Sequence, residues 1–158
     1  MAYRAVVVTV SDRSAAGERE DTSGPVAVAA LTAAGFACDD VVVVPDGADA
    51  VEGALRAAVA AGADLVVTSG GTGIGPRVRT PEGTLRVLDR EVPGLAEGLR
   101  RAGADETPAA MLSRGVAGVA GGTLVVNLPG SPRAVASGIV LVLSVAGHAL
   151  AQLSGGDH

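Results

Sequence analysis

Aliphatic runs alternate with alanine-rich segments along this chain, and that alternation predicts its architecture. Residues 5–10, 41–44, 65–68 and 123–126 are short, almost continuously apolar and rich in valine. Strands of that kind are buried on both faces, which implies a mostly parallel sheet with helices on both faces. The segments between them carry helix punctuation. Ser23-Gly24-Pro25 opens a first helix and Gly35 closes it, while Asp49 opens a second that Gly62 ends. Thr80-Pro81-Glu82 reads as a cap residue, a proline in the first turn and an acid that suits the helix dipole. Ser131-Pro132 repeats this opening before a last helix over residues 133–150. Residues 105–122 follow no clear period. The expectation is a three-layer α/β fold in one domain covering residues 1–158.

A parallel sheet gathers the C-terminal ends of its strands on one rim, and ligands bind there. The predicted ends are Ser11-Asp12, Pro45-Asp46, Ser69-Gly70-Gly71-Thr72-Gly73 and Asn127-Leu128-Pro129-Gly130-Ser131. Carboxylates, hydroxyls and two glycine turns converge, which outlines a site for an anion with a metal. Glycine lets backbone N–H groups approach a phosphate that side chains would hold off. Two familiar phosphate loops are excluded. A Walker loop needs a lysine, and all twelve basic residues here are arginine. The dinucleotide fingerprint needs a glycine at position 76, where Pro76 stands. Plainer readings compete at each position: a tight turn at Gly70 to Gly73, helix caps at Asp46 and Ser131, a solvated turn at Asp12 and Arg13. The buried strand before the glycine loop and the capped helix after it favour ligand binding.

Composition narrows the partners. Tyr3 and Phe36 are the only aromatics, so base-stacking platforms are lacking, and a net charge of −5 opposes a polyphosphate; no nucleic acid partner is expected. The single Cys38 allows no intramolecular disulfide and fits a reducing compartment. No signal-peptide pattern precedes the first run, and no apolar stretch is read as long enough to span a bilayer. A soluble, cytoplasmic protein with no membrane partner is expected. His148 and His158 with one cysteine cannot build a zinc site, and His148 reads as a packing residue of an apolar helix. Any metal would be held by oxygen ligands and phosphate, which points to Mg²⁺.

The ordered motifs resemble the MoaB/Mog family of molybdenum-cofactor biosynthesis over nearly the whole chain. They are Val10-Ser11-Asp12-Arg13 with Gly17, Asp21 and Ser23-Gly24-Pro25, then Pro45-Asp46, Ser69-Gly70-Gly71-Thr72-Gly73 and Thr80-Pro81-Glu82. Arg90-Glu91-Val92-Pro93-Gly94 and Asn127-Leu128-Pro129-Gly130-Ser131-Pro132 complete the set. The resemblance implies a homotrimer that binds molybdopterin and adenylylates it with ATP and Mg²⁺, releasing pyrophosphate. It implies that Gly70, Gly71, Thr72 and Gly73 cradle phosphates and that Asp46 is the catalytic and metal-binding acid. Pro129, Gly130 and Ser131 would shape the opposite wall, Ser113 and Arg114 would face the pterin, and Ser11 and Asp12 would share the rim. One position departs from the family pattern. An aspartate normally stands two residues before the Thr-Pro-Glu motif, and here that place is held by Val78, between Arg77 and Arg79. Loss of that carboxylate raises an alternative, a non-catalytic relative that binds molybdopterin or a protein partner without transferring anything.

Overall fold

The protein is described by a computed structural model over residues 2–156; Met1, Asp157 and His158, and with them the reading of His158, lie outside the described residues. The strands are β1 (Arg4–Val10), β2 (Ala37–Cys38), β3 (Val42–Val44), β4 (Leu65–Ser69), β5 (Arg90–Glu91), β6 (Ala117–Ala120) and β7 (Thr123–Leu128). The helices are α1 (Asp12–Ala15), α2 (Ser23–Ala33), α3 (Ala48–Ala60), α4 (Thr80–Leu85), α5 (Pro93–Glu106) and α6 (Pro132–Leu153), with a 3₁₀ turn at Pro108–Leu112. They form one sheet in the order β2-β1-β4-β7-β6-β5, with β3 pairing β1 as well. The pairs among β1, β2, β3, β4 and β7 are parallel, while β6 runs antiparallel to β7 and β5 antiparallel to β6.

The apolar runs divide by parity between two layers of helices. Val7, Leu65, Val67, Leu124 and Val126 pack in the cluster that holds Leu31 of α2, Leu95 of α5 and Ile139 of α6. Val8, Val10, Val66 and Val125 face the other way, onto Val51 and Leu55 of α3. A strand buried on both faces gains from every residue, each full burial of a valine or leucine contributing roughly 1.5–3 kcal/mol. That explains why these strands show no polar alternation.

Two sequence readings need correction. The last helix is 22 residues long and apolar enough to cross a bilayer, contrary to the expectation that no stretch reaches that length. Its buried stripe of Val135, Ile139, Val142, Ala146 and Leu150 packs on α2 and β7, so the apolar length serves a core helix. Thr80 is not the cap of α4. Arg79 occupies that position, and the buried Thr80 hydroxyl donates instead to the Gly70 carbonyl at 3.1 Å. Residues 105–122, without period in the sequence, contain the 3₁₀ turn and β6, whose Ala-Gly-Val-Ala composition hides a strand. Gly118 of β6 has to be small, because a Cβ there would collide with the carbonyl of Arg90.

Candidate functional site

The glycine loop leaves β4 through two left-handed residues. Gly70 has φ +97° and Gly71 φ +68°, a region that side-chain-bearing residues avoid. Space forbids a side chain as well: a Cβ on Gly70 would strike the Val10 carbonyl of β1, and one on Gly71 the Thr80 hydroxyl. The carbonyls of this turn are held, Gly70 by Thr80 Oγ1 and Gly71 by the Thr80 N–H at 3.2 Å. The Gly70 N–H is held as well, by the Leu128 carbonyl at 3.0 Å, but the N–H groups after it are not. Those of Gly71, Thr72 and Gly73 donate to no acceptor among the described residues. Successive unpaired amides of this kind are anion donors.

Arg114 fixes the far side of the loop. Its N–H donates to the Thr72 carbonyl at 2.7 Å, its Nε to the Gly73 carbonyl at 2.9 Å and its Nη2 to the Val78 carbonyl at 3.0 Å. Its Nη1 pairs with Glu82 Oε2 at 2.6 Å, and that hydrogen bond holds the Glu82 carboxyl below its usual range. The guanidinium thus ties both ends of the loop to the start of α4.

Two acids join the ends of β1 and β3. The Asp12 N–H donates to Asp46 Oδ2 at 3.3 Å, and the Asp46 N–H donates to Asp12 Oδ1 at 3.1 Å. Arg77 then grips Asp12 in a fork, Nε to Oδ2 at 2.7 Å and Nη2 to Oδ1 at 3.1 Å. Those bonds hold the Asp12 carboxyl down. Burial, with the nearby Asp12 charge, pushes Asp46 up. Asp46 is not a helix cap, since Gly47 occupies that position of α3.

A third acid, Asp21, organises the other wall. It accepts from Thr9 Oγ1 at 2.8 Å, from Ser23 Oγ at 3.4 Å and from the Gly24 N–H at 3.0 Å. Ser69 Oγ lies 3.1 Å from Ser23 Oγ and 3.3 Å from the Pro129 carbonyl, which carries the network across to β7. Ser131 caps α6, accepting from the Ala134 N–H at 3.1 Å.

These pieces enclose a cleft of about 370 Å³. Of the residues singled out in the sequence, Ser11, Asp46, Gly70, Gly71, Gly130 and Ser131 line it. Asp12 is bonded to Asp46 but does not line the cleft; neither does the buried Thr72, nor Gly73, whose carbonyl Arg114 holds. Pro129 and Ser113 border a neighbouring cavity of about 70 Å³ instead, and Arg114 lines neither. Sequence reasoning left Asp21, Ser69, Val78 and Arg19 out of the candidate site, yet all four border the cleft. Asp21 had a usable signal, an acid two residues before Ser23-Gly24-Pro25 at a helix start. His148, read as a packing residue, is exposed and borders a separate groove of about 730 Å³ between α5 and α6.

A resident Mg²⁺ does not fit these side chains. Among the described residues no three His, Cys, Asp or Glu side chains come together. Both Asp12 oxygens are engaged by Arg77, Asp46 Oδ2 accepts the Asp12 amide, and the Val78 side chain brings an apolar wall to the cleft. Of the four oxygens of Asp12 and Asp46, Asp46 Oδ1 is the one with no hydrogen-bond partner among the described residues.

Comparisons with known proteins agree on one family. Residues 6–148 match the family described as "Probable molybdopterin binding domain". A "Molybdenum cofactor biosynthesis bifunctional protein" of Synechococcus elongatus is 43% identical over 154 residues, covering 98% of this chain and 48% of that protein. The chain thus spans about half the length of such bifunctional relatives. A "Molybdopterin adenylyltransferase" of Pyrococcus furiosus is 40% identical over 151 residues, covering 91% of this chain and 87% of the relative. The solved structure of the molybdopterin biosynthesis Mog protein of Mycobacterium ulcerans superposes with a TM-score of 0.92 at 48% identity, covering 96% of this chain and 99% of that one.

Proposed function

The chain belongs to the MoaB/Mog family of molybdopterin-binding domains, and from that premise we propose that its rim cleft binds the molybdopterin phosphate and adenylylates it with ATP. The observation that carries this reading is the unpaired Gly71 N–H in a cleft that Ser131, the cap of α6, also lines, with the unpaired N–H groups of Thr72 and Gly73 following it in the chain. Backbone amides and a helix N-terminus in one cleft suit phosphate-bearing ligands. In the transfer an oxygen of the pterin phosphate attacks the α-phosphorus of ATP. The new P–O–P linkage forms as the bond to pyrophosphate breaks. Such chemistry needs alignment and charge neutralisation more than a nucleophilic side chain. Mg²⁺ enters with ATP as part of the substrate, and Asp46 Oδ1 is the protein oxygen free to meet it. The exposed valines of α6, Val140 and Val145, would be covered by neighbouring subunits in a homotrimer.

Val78 favours a second reading, binding without transfer, because it puts a valine on the cleft wall where the family pattern has an acid. Incubation with molybdopterin and Mg-ATP separates the two. Release of pyrophosphate with formation of adenylyl-molybdopterin supports transfer; bound molybdopterin without pyrophosphate release supports the second reading.

A further inference from the structure

We propose that Arg77, which stands outside the lining of the cleft and is joined to it through Asp12 and Asp46, takes the place of a divalent cation there, so that the anion is anchored without a metal. The inference rests on the phosphate-binding reading of the cleft and adds to it the source of the positive charge. A metal between two carboxylates does two things: it cancels their repulsion and it presents positive charge to the phosphate. The Arg77 guanidinium is built to do both. Its fork on Asp12 cancels one carboxylate through two charge-assisted bonds, and Asp12 in turn is locked to Asp46 by reciprocal amide bonds. A guanidinium has five N–H donors. The remaining Arg77 donors meet no acceptor among the described residues, and its side chain is 68% exposed. They are available to an anion.

The neighbouring position fits the exchange. Val78 borders the cleft with Asp46, so the oxygen ligand that would complete a cation site is missing, and among the described residues no third carboxylate joins Asp12 and Asp46. A cation competing for Asp12 would first have to break the fork. An aspartate at position 78 and a free Asp12 would together make a metal site; a valine and a bridged Asp12 make an arginine site. Because Arg77 is at the surface and its bonds are to one side chain, its removal leaves the core untouched.

The test uses the whole chain with two probes, Mn²⁺ followed by electron paramagnetic resonance and inorganic pyrophosphate followed by calorimetry. Wild-type protein is expected to retain no Mn²⁺ and to bind pyrophosphate equally in EDTA and in millimolar Mg²⁺. Arg77→Ala should bind pyrophosphate in EDTA about tenfold more weakly or worse, since Asp12 and Asp46 then repel the anion. It should also take up Mn²⁺ through the freed carboxylates. Arg77→Lys, which keeps the charge but not the fork, should fall between the two. Mn²⁺ retained by the wild type, or pyrophosphate binding that EDTA abolishes, overturns the proposal. So does an Arg77→Ala protein indistinguishable from wild type with both probes, which would make Arg77 a loop tether only. Mn²⁺ uptake depends on the two aspartates and not on a pterin, so this failure is separate from a failure to bind molybdopterin.

Discussion

Substituting the glycines of the loop one at a time separates folding from ligand approach, because Gly71 and Gly73 are glycines for different reasons. At Gly71 the backbone is left-handed and a Cβ would collide with the Thr80 hydroxyl that holds the Gly70 carbonyl. Gly71→Ala therefore carries the left-handed penalty and the loss of a buried hydrogen bond, about 2–4 kcal/mol together. For a chain of this length that lowers Tm by about 4–16 °C. Gly73 has no positive φ, and a Cβ there meets nothing within 4 Å. Gly73→Ala should stabilise the fold by about 0.4–1 kcal/mol through the unfolded chain, raising Tm by about 1–4 °C. Yet its methyl group would stand before the amides that receive a phosphate. Losing one charge-assisted hydrogen bond costs about 1.5–3 kcal/mol, or about 10- to 100-fold in affinity. Scanning calorimetry and pyrophosphate titration on the same samples read both quantities. A more stable Gly73→Ala protein with weakened binding supports the cradle. Unchanged affinity refutes it at this residue and confines the anion to Gly71 and Thr72.

Val78→Asp should raise Mg-ATP-dependent adenylylation at least about tenfold by giving the substrate's metal a second carboxylate, at little cost in Tm because Val78 borders the cleft and is not sealed in the core. A destabilised variant with no gain in pyrophosphate release would leave binding without transfer as the function. Asp46→Asn should slow adenylylation but tighten pyrophosphate binding in EDTA, since it removes the charge nearest Gly71; weaker binding in EDTA would contradict the arginine-anchored cleft. Glu82 has its carboxyl held low by Arg114, so its stabilising effect is complete above the usual glutamate range and is lost as pH falls through the lowered value. Glu82→Gln should accordingly flatten the fall of Tm on acidification, and parallel curves for the two proteins would count against the pairing. Sedimentation should give a homotrimer, and a stable monomer at micromolar concentration would exclude it.

Much of the fold was legible because its signals are local. The four valine-rich runs became β1, β3, β4 and β7, and the glycines read as helix stops, Gly35 and Gly62, have φ of +97° and +85°. What escaped was decided by contacts between distant segments. Strand β6 shows no β-branched run because Gly118 has to lie against the backbone of β5, so its composition follows a neighbour and not a propensity. Thr80 has the sequence of a helix cap, but its hydroxyl is worth more on the Gly70 carbonyl, a buried acceptor that would otherwise go unpaired.

The candidate site divides along the same line. The rim residues could be read because topology alone brings the ends of parallel strands together. The charge arrangement could not, because its partners are far apart in sequence: Arg77 and Asp12 by 65 residues, Arg114 and Glu82 by 32. A sequence shows Val78 as a missing acid and Arg77 and Arg79 as loose positive charge near a phosphate loop. Geometry gives the two arginines different tasks. Arg79 donates to the adjacent Val78 carbonyl, while Arg77 neutralises the acid that would otherwise oppose an anion. In a chain of net charge −5 the long-range field repels a phosphate, so attraction has to come from groups in contact with it. Unpaired loop amides and one forked arginine would supply that attraction at short range, where salt screens least. Lost carboxylate and paired arginine therefore belong to one electrostatic solution, and changing either residue alone should unbalance it.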